Sequence, residues 1–279
     1  MENKKNTAIA GLEIDDGIVI KYSGDSDEVV IPEGVTVIYD AAFFRKGHIK
    51  KITIPQSVTE IGEFAFYRAG MKELALPREL KKIGRCAFMQ CGFHSVEIPA
   101  TVEAMGREAF ADSFFLKRVT LAEGLAVIGI RAFYGSDALG EISIPGSIRA
   151  IPDEAFYYCK SLSRVTFAEG VEEIGRAAFA EAGRLRSLAF PRSLRRIGDM
   201  AFEKCPMLTE LRLNDGLEHI GYRAFADAPY LKEVHIPSSV KTVGRSAFPD
   251  RRTLTVYCSD PENIPAEWQL GENIRIKKC

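Results

Sequence analysis

Residues 144–167 read IPGSIRAIPDEAFYYCKSLSRVTF, and variants of this stretch fill most of the 279-residue chain. The Ala-Phe dipeptide at its centre occurs ten times at regular spacing, and the intervals between successive phenylalanines are 23, 22 and 22 residues and then 23 residues six times. The phenylalanines are Phe43, Phe66, Phe88, Phe110, Phe133, Phe156, Phe179, Phe202, Phe225 and Phe248. A near-constant period of this length indicates a stack of similar supersecondary units in which each unit covers its neighbours.

Each repeat contains a short stretch in which apolar and polar residues alternate, as Ile142-Ser143-Ile144 does. This alternation is typical of a half-buried strand. Equivalent pairs begin at Ile52/Ile54, include Leu74/Leu76 and end at Val234/Ile236. Because these positions recur once per repeat, we expect one long parallel sheet.

The segment around each Ala-Phe is expected to form a short helical turn. Pro152-Asp153-Glu154 resembles the first turn of a helix, with proline at N1 and carboxylates near the positive end of the dipole. A glycine occupies the place of Pro152 in most other repeats, and because proline fixes φ near −65° a positive φ is not required there. The sequence therefore predicts an α/β repeat solenoid of about ten repeats of 22–23 residues.

The two 22-residue intervals can be placed within the repeat. Phe66 to Leu74 and Phe88 to Val96 each span eight residues, where most other repeats have nine. The missing residue lies in the loop after the predicted helical turn, which should tolerate the deletion. Phe114 and Phe115 form an apolar pair at a loop position of the following repeat.

Composition excludes several classes of protein. The chain has 37 Lys and Arg against 38 Asp and Glu, a net charge of −1, and 46% hydrophobic residues. It can therefore bury a core, and it has no basic excess to recruit nucleic acid or an anionic membrane. No apolar run approaches the roughly 20 residues of a membrane span. The first residues lead into no apolar signal segment, and the cysteine content is not that of a disulfide scaffold. We therefore expect a cytoplasmic chain, or a cell-surface or secreted one if a leader was removed.

The pattern I-P-x-x-V-x-x-I-G-x-x-A-F-x-x-C-x-x-L resembles the BspA-like leucine-rich repeats of bacterial proteins, and the resemblance covers about four-fifths of the chain. It implies a leucine-rich-repeat-like right-handed superhelix that binds other macromolecules, since several members of that family are adhesins. Residues 12–22 resemble the capping hairpin of family members, with a tight turn at Asp16-Gly17. We therefore predict an N-terminal capping hairpin at 1–30, the solenoid at 31–257 and a C-terminal cap at 258–279, an irregular cover in which the register of the last repeat stays open.

Residues able to support catalysis or bind a metal are scattered. Cys91, Cys159 and Cys205 share one register but lie at least two repeats apart, beyond disulfide reach, so they are expected to be small buried hydrophobes. Cys258 and Cys279 are the two that could pair. None of the four histidines lies in a metal-binding motif, and no nucleophile elbow, P-loop or dinucleotide fingerprint is present. We expect no enzyme activity, cofactor or metal.

A charged residue precedes the first apolar residue of most predicted strands, and neighbouring repeats often carry opposite charges, which favours mutual compensation. The pair Glu210 and Glu233 is an exception, because two like charges lie on adjacent repeats with Arg212 and His235 two residues further on. The candidate partner-binding face is Arg118, Glu141, Arg164, Glu210, Arg212, Glu233 and His235.

Aromatic residues follow several Ala-Phe dipeptides and form a candidate aromatic edge. Its members are Phe44, Tyr67, Tyr134, Tyr157 and Tyr158. Exposed aromatics favour interfaces, although these rings could equally cover the apolar edge between turns. The predicted function is a non-catalytic binding module for a protein or glycan partner, with no nucleic acid and no membrane insertion. The alternative is a structural protein that self-associates, even weakly, through the solenoid edge or ends.

Overall fold

The computed structural model describes residues 11–250, 254–261, 265, 268, 270 and 273–279. The chain divides into two compact units, Met1–Ser136 and Asp137–Cys279. Each unit is a β-solenoid in which a repeat contributes a strand from its V-x-I stretch, a two-residue strand from its V-x-x-I stretch and a run of turns around Ala-Phe. The prediction of a repeat solenoid is confirmed.

The first unit begins with an antiparallel hairpin and continues with parallel pairing. Its strands are β1 (Leu12–Asp15), β2 (Ile18–Tyr22), β3 (Glu28–Val30), β4 (Val37–Ile38), β5 (Lys51–Thr53), β6 (Glu60–Ile61), β7 (Lys82–Ile83), β8 (Ser95–Ile98), β9 (Ala104–Met105) and β10 (Arg118–Leu121). The tight turn between β1 and β2 has positive φ at Asp16 and Gly17, as a type I′ turn requires. Strands β2, β4, β6, β7 and β9 pair in parallel, as do β3 with β5 and β8 with β10.

The second unit is parallel throughout its described strands. These are β11 (Glu141–Ile144), β12 (Ala150–Ile151), β13 (Arg164–Phe167), β14 (Glu173–Ile174), β15 (Ser187–Ala189), β16 (Arg196–Ile197), β17 (Glu210–Arg212), β18 (His219–Ile220), β19 (Glu233–His235), β20 (Thr242–Val243), β21 (Leu254–Cys258) and β22 (Ile274–Lys278). Strands β12, β14, β16, β18 and β20 form one sheet; β15, β17, β19, β21 and β22 form another, and β11 pairs with β13.

Two sets of parallel strands therefore replace the single long sheet that the sequence predicts. The long-strand face carries the outward side chains of the V-x-I strands, and the short-strand face carries those of the V-x-x-I strands. The second set was not predicted because two paired residues per repeat are too few to produce an alternating pattern.

The Ala-Phe phenylalanines form a buried, stacked column in each unit. The ring centroids of Phe43, Phe66, Phe88, Phe110 and Phe133 in the first unit are 5.0–5.4 Å apart. Those of Phe156, Phe179, Phe202, Phe225 and Phe248 in the second unit are 5.1–5.8 Å apart, with planes within 5° of parallel. All ten rings are at most 1% exposed. Each repeat thus covers the apolar face of the next, as the sequence predicts.

The segment around Ala-Phe is a run of β-turns, and the prediction of short helical turns is wrong. No helix occurs over that segment in any described repeat. The second residue before each Phe has a positive φ, as Glu154 (φ 56°) and Ala177 (φ 50°) do. A positive φ at the third position of a turn but not at the second, as in Asp153-Glu154, is typical of type II geometry. The N–H of the positive-φ residue donates to the next repeat, from Glu154 to the Arg176 carbonyl at 2.8 Å, whereas Ala155 N–H closes the turn onto Pro152.

The first of the two 22-residue repeats interrupts the long-strand set of the first unit. Residues Leu74-Ala75-Leu76 form no strand, contrary to the prediction, and both leucines are only half-buried. In 23-residue repeats a closing turn precedes the strand, as where Leu162 N–H donates to the Cys159 carbonyl at 2.9 Å. One residue fewer removes that turn, but the second 22-residue repeat still forms β8, so the shorter length alone does not abolish the strand.

The C-terminal segment is more regular than the irregular cover expected there. Strand β22 lies parallel to β21, with Val256 opposite Ile276, so part of residues 258–279 extends the sheet. The open register of the last repeat resolves with Val234 opposite Val256 and His235 opposite Tyr257. The Trp268 side chain is buried, and its Nε1–H donates to the Lys241 carbonyl at 3.4 Å.

Candidate binding surfaces

Several charged residues on and just before the short strands form ion pairs between neighbouring repeats, although Glu173 and Arg196, opposite each other on β14 and β16, do not. Lys81 pairs with Glu103 at 3.3 Å, Lys82 with Glu60, Arg149 with Glu172, and Lys241 with Glu218. The carboxylate of Glu218 has a pKa below its usual range because Lys241 hydrogen-bonds to it. The compensation expected from the sequence is therefore present at these pairs.

Charged residues on the long strands do not all pair in this way. Glu141 lies directly opposite Arg164 on neighbouring strands. In the described part of the chain, Arg118, Glu141, Arg164 and Glu233 nevertheless form no ion pair, and each is exposed to solvent. Glu141 and Arg164 therefore face each other with opposite charges but without a direct ion pair.

Four of the predicted face residues of the second unit lie together near its C-terminal end, whereas Glu141 and Arg164 lie on β11 and β13. Arg212 lies opposite His235 on the adjacent strand, and its guanidinium is 4.0 Å from the Glu210 carboxylate. The His235 ring stacks on Tyr257 with centroids 4.5 Å apart and planes 7° from parallel. Sequence reasoning missed Tyr257 because the register of the last repeat was open. We call Glu210, Arg212, Glu233, His235 and Tyr257 the terminal patch.

Arg118 lies in the first unit, beside a cavity of about 450 Å³ where the long strands are interrupted. The cavity is lined by Leu74, Ala75, Leu76, Arg78, Ser95, Val96, Glu97, Pro99, Arg118 and Thr120. It opens on the long-strand face because Leu74–Leu76 do not continue the ladder. The long-strand face of the first unit thus carries both a charged residue and a concave surface.

The aromatic edge is largely covered by its own neighbours. Phe44 and Tyr67 stack with centroids 5.1 Å apart, and the guanidinium of Arg68 lies 5.3 Å from the Tyr67 ring. Tyr134, Tyr157 and Tyr158 are half-buried. Their packing fits the alternative that these rings cover an apolar edge; the more exposed aromatics include Tyr39, Phe114, Phe115, Tyr222 and Tyr230.

The buried cysteines are held as neutral thiols. Cys91 Sγ–H donates to the Phe66 carbonyl at 3.0 Å, and Cys205 Sγ–H to the Phe179 carbonyl at 3.7 Å. Burial raises the pKa of the Cys205 thiol to about 12, and raises that of Cys91 further. The interpretation of these residues as small buried hydrophobes is confirmed. Cys258 and Cys279 are free thiols, the first buried and the second exposed.

Over the residues with described positions, no three His, Cys, Asp or Glu side chains converge as a metal site. His219 Nδ1 lies 2.8 Å from the Thr242 hydroxyl on the next repeat, so that histidine has a local polar partner. In that same part of the chain there is no helix of the length and apolarity needed to cross a membrane.

Comparison with known sequences decides the family. Residues 36–163 and 126–255 match the BspA type leucine-rich repeat region, described in six copies. The chain belongs to the BspA-type leucine-rich repeat family. Repeat proteins of this family are typically non-catalytic, and their architecture suits binding of other macromolecules. No curated protein is significantly similar to the chain.

Three solved structures of bacterial proteins are among those similar to the chain. One from Bacteroides ovatus is 20% identical, with 94% of this chain and 87% of that chain covered and a TM-score of 0.41. A leucine-rich cell surface protein from Faecalibacterium prausnitzii is 24% identical, with 93% and 90% covered and a TM-score of 0.47. The pneumococcal vaccine antigen PcpA is 19% identical, with 95% and 90% covered and a TM-score of 0.47.

Proposed function

We propose that this BspA-type protein is a non-catalytic binding module that contacts a protein or glycan through its long-strand face. The observation that carries the proposal is a set of exposed charges on the long strands that form no ion pair with any residue the structure describes. They are Arg118 in the first unit and Glu141, Arg164 and Glu233 in the second. Unpaired charges on an ordered surface are free to complement a partner, and charge complementarity contributes specificity and association rate.

The backbone that presents these charges is ordered before a partner arrives. In the second unit, β17 is hydrogen-bonded between β15 and β19, and β19 in turn pairs with β21. A preordered surface loses less conformational entropy on association than a flexible one. The terminal patch adds the stacked rings of His235 and Tyr257, and aromatic side chains are enriched among residues that dominate binding energy.

A matched pair of triple variants tests this proposal. One is Glu210→Ala, Arg212→Ala and Glu233→Ala on the long-strand face. The other is Glu173→Ala, Arg196→Ala and Glu218→Ala on the short-strand face, with the same change in net charge. Each immobilised protein is exposed to extract from the source cells at low and high salt, and retained macromolecules are quantified.

We expect the long-strand variant to retain at least tenfold less of a wild-type partner, with the largest loss at low salt, because rim charges act through screened electrostatics. The short-strand variant should bind as wild type does. Melting temperatures should change little in either, since exposed substitutions usually cost within about 0.5 kcal/mol. Equal retention by the two variants would contradict the proposal, and sedimentation at increasing concentration tests self-association separately.

A further inference from the structure

A second concave surface lies on the loop edge of the first unit, next to the two 22-residue repeats. Its cavity has a volume of about 630 Å³. Residues Arg68, Ala69, Gly70, Lys72, Gln90, Cys91, Gly92, His94, Asp112, Phe114 and Phe115 line it. We call this surface the loop cleft. It shares no residue with the terminal patch, so the inference below is independent of the proposed function.

The floor of the loop cleft is produced by the deleted residues. Where a 23-residue repeat carries Lys160-Ser161, the two short repeats carry the single residues Gly70 and Gly92. A side chain at Gly70 would meet the Gly47 carbonyl oxygen at 2.1 Å, so the loop lies directly on the preceding repeat. Ala69 and Cys91 beside these glycines are small and buried. The floor is consequently low and uncharged.

The wall is formed where the repeat length returns to 23 residues. The longer loop raises Phe114 and Phe115 above the short loops, and these side chains are 53% and 60% exposed. The loop is closed by hydrogen bonds from Phe114 N–H to the Asp112 carbonyl and from Leu116 N–H to the Ser113 carbonyl, both 3.0 Å. Two adjacent exposed phenylalanines on an ordered loop are typical of an interaction site.

The rim carries a local excess of positive charge. The Arg68 guanidinium lies over the Tyr67 ring, and its Nε–H donates to Gln90 Oε1 at 2.5 Å. These two contacts orient the guanidinium group. Gln90 Nε2–H in turn donates to the carboxylate of Asp112 at 3.3 Å. Lys72 and His94 are exposed beside the same cavity. Asp112 is the one carboxylate in the lining, against two permanent cations.

We propose that the loop cleft binds an acidic peptide segment of a protein partner, with an apolar side chain of the peptide placed against Phe114 and Phe115 above the glycine floor. Apolar contact with the exposed rings removes their surface from water. The peptide carboxylates pair with Arg68 and Lys72, and arginine is the residue best suited to bidentate carboxylate binding. Phenylalanine has no polar group with which to orient a sugar hydroxyl, so the wall fits an apolar side chain better than a glycan.

Selection from a displayed library of random heptapeptides tests this assignment. The library is enriched on the wild-type protein after depletion on the variant Phe114→Ser, Phe115→Ser. Surviving peptides are synthesised and their affinities measured by fluorescence anisotropy on wild type, on the wall variant, on a rim variant (Arg68→Gln, Lys72→Gln) and on a control with two other exposed aromatics replaced (Tyr222→Ser, Tyr230→Ser). Thermal melting confirms that each variant folds.

We expect surviving peptides to carry Asp or Glu next to Phe, Trp, Leu or Ile. Affinity should fall at least tenfold in the wall variant and at least threefold in the rim variant, which should also lose much of its salt dependence, and should not change in the control. The proposal is overturned if no peptide distinguishes wild type from the wall variant or if the survivors lack acidic residues. It is equally overturned if the same variants abolish binding to an array of anionic glycans while leaving peptide binding intact.

Discussion

Replacing Phe179 by alanine is expected to lower the free energy of unfolding by about 3–5 kcal/mol, the usual cost of removing a fully buried aromatic side chain. The Phe179 ring is 0% exposed and lies between Phe156 at 5.1 Å and Phe202 at 5.3 Å. Phe167 also contacts it edge-on at 5.8 Å. The substitution therefore removes three aromatic contacts and leaves a void that repeating backbone on both sides cannot close.

Urea denaturation followed by circular dichroism measures this loss. Tyr230→Ala in the same unit is the control, because its side chain is 55% exposed and its removal should change stability by no more than about 0.5 kcal/mol. A loss below about 1 kcal/mol for Phe179→Ala would mean that the phenylalanine column does not hold the repeats together.

The second large effect is expected at Gly221, where the backbones of neighbouring repeats approach closely. A Cβ there would lie 2.5 Å from the Asp199 backbone nitrogen and 2.5 Å from the Gly198 carbonyl carbon. Backbone atoms cannot rotate aside as a side chain can, so Gly221→Ala must push two repeats apart. We expect a loss of roughly 2–3 kcal/mol, in the upper range for overpacking, measured by the same urea titration.

Gly140 provides the matched control for this substitution. It belongs to the same unit, its φ is not positive, and a Cβ there would meet nothing within 4 Å. Gly140→Ala should therefore be neutral or stabilising by up to about 1 kcal/mol, because alanine restricts the unfolded chain. Equal losses at Gly140 and Gly221 would contradict the close approach between repeats.

The buried core could be predicted from periodicity because the same apolar positions recur in every repeat. Ten Ala-Phe dipeptides at 22–23 residues identify the buried column, and the recurrence of Cys91, Cys159 and Cys205 in one register identifies buried thiols. A residue type that recurs at one position in many repeats is not there by chance, so such positions identify residues that pack in the core. Of the proposed binding surfaces, Glu210, Arg212, Glu233 and His235 could be named for the same reason, since a departure from a repeating charge pattern is visible.

The turns could not be predicted because contacts between repeats override local preference. Pro152-Asp153-Glu154 carries the signals of a helix start, yet Glu154 adopts a positive φ. That conformation costs about 1–2 kcal/mol for a residue other than glycine. The Glu154 N–H gains a hydrogen bond to Arg176 of the next repeat, and Ala177 does the same with Asp199 at 2.8 Å. No pattern within one repeat reports a bond made to another.

The loop cleft escaped prediction because each short interval was interpreted as a tolerated deletion. The available signal was that two 22-residue intervals are consecutive, carry Gly70 and Gly92 at the same place, and precede the exposed Phe114-Phe115 pair. One short loop lowers the surface only locally, whereas two adjacent short loops beside a longer one form a cleft. Only a comparison of three successive repeats shows this difference in loop length.

The first 22-residue repeat leaves the long-strand sheet at residues 74–76, and amide hydrogen exchange tests this most directly. Residues 73–76 read Glu-Leu-Ala-Leu and residues 210–213 read Glu-Leu-Arg-Leu, so the two segments are nearly matched in sequence. The first follows a 22-residue interval and forms no strand, whereas Glu210–Arg212 form β17 between two neighbours. After correction for intrinsic rates, we expect the amides of residues 73–76 to exchange at least a hundredfold faster than those of residues 210–213. Equal protection of the two segments would contradict the claim.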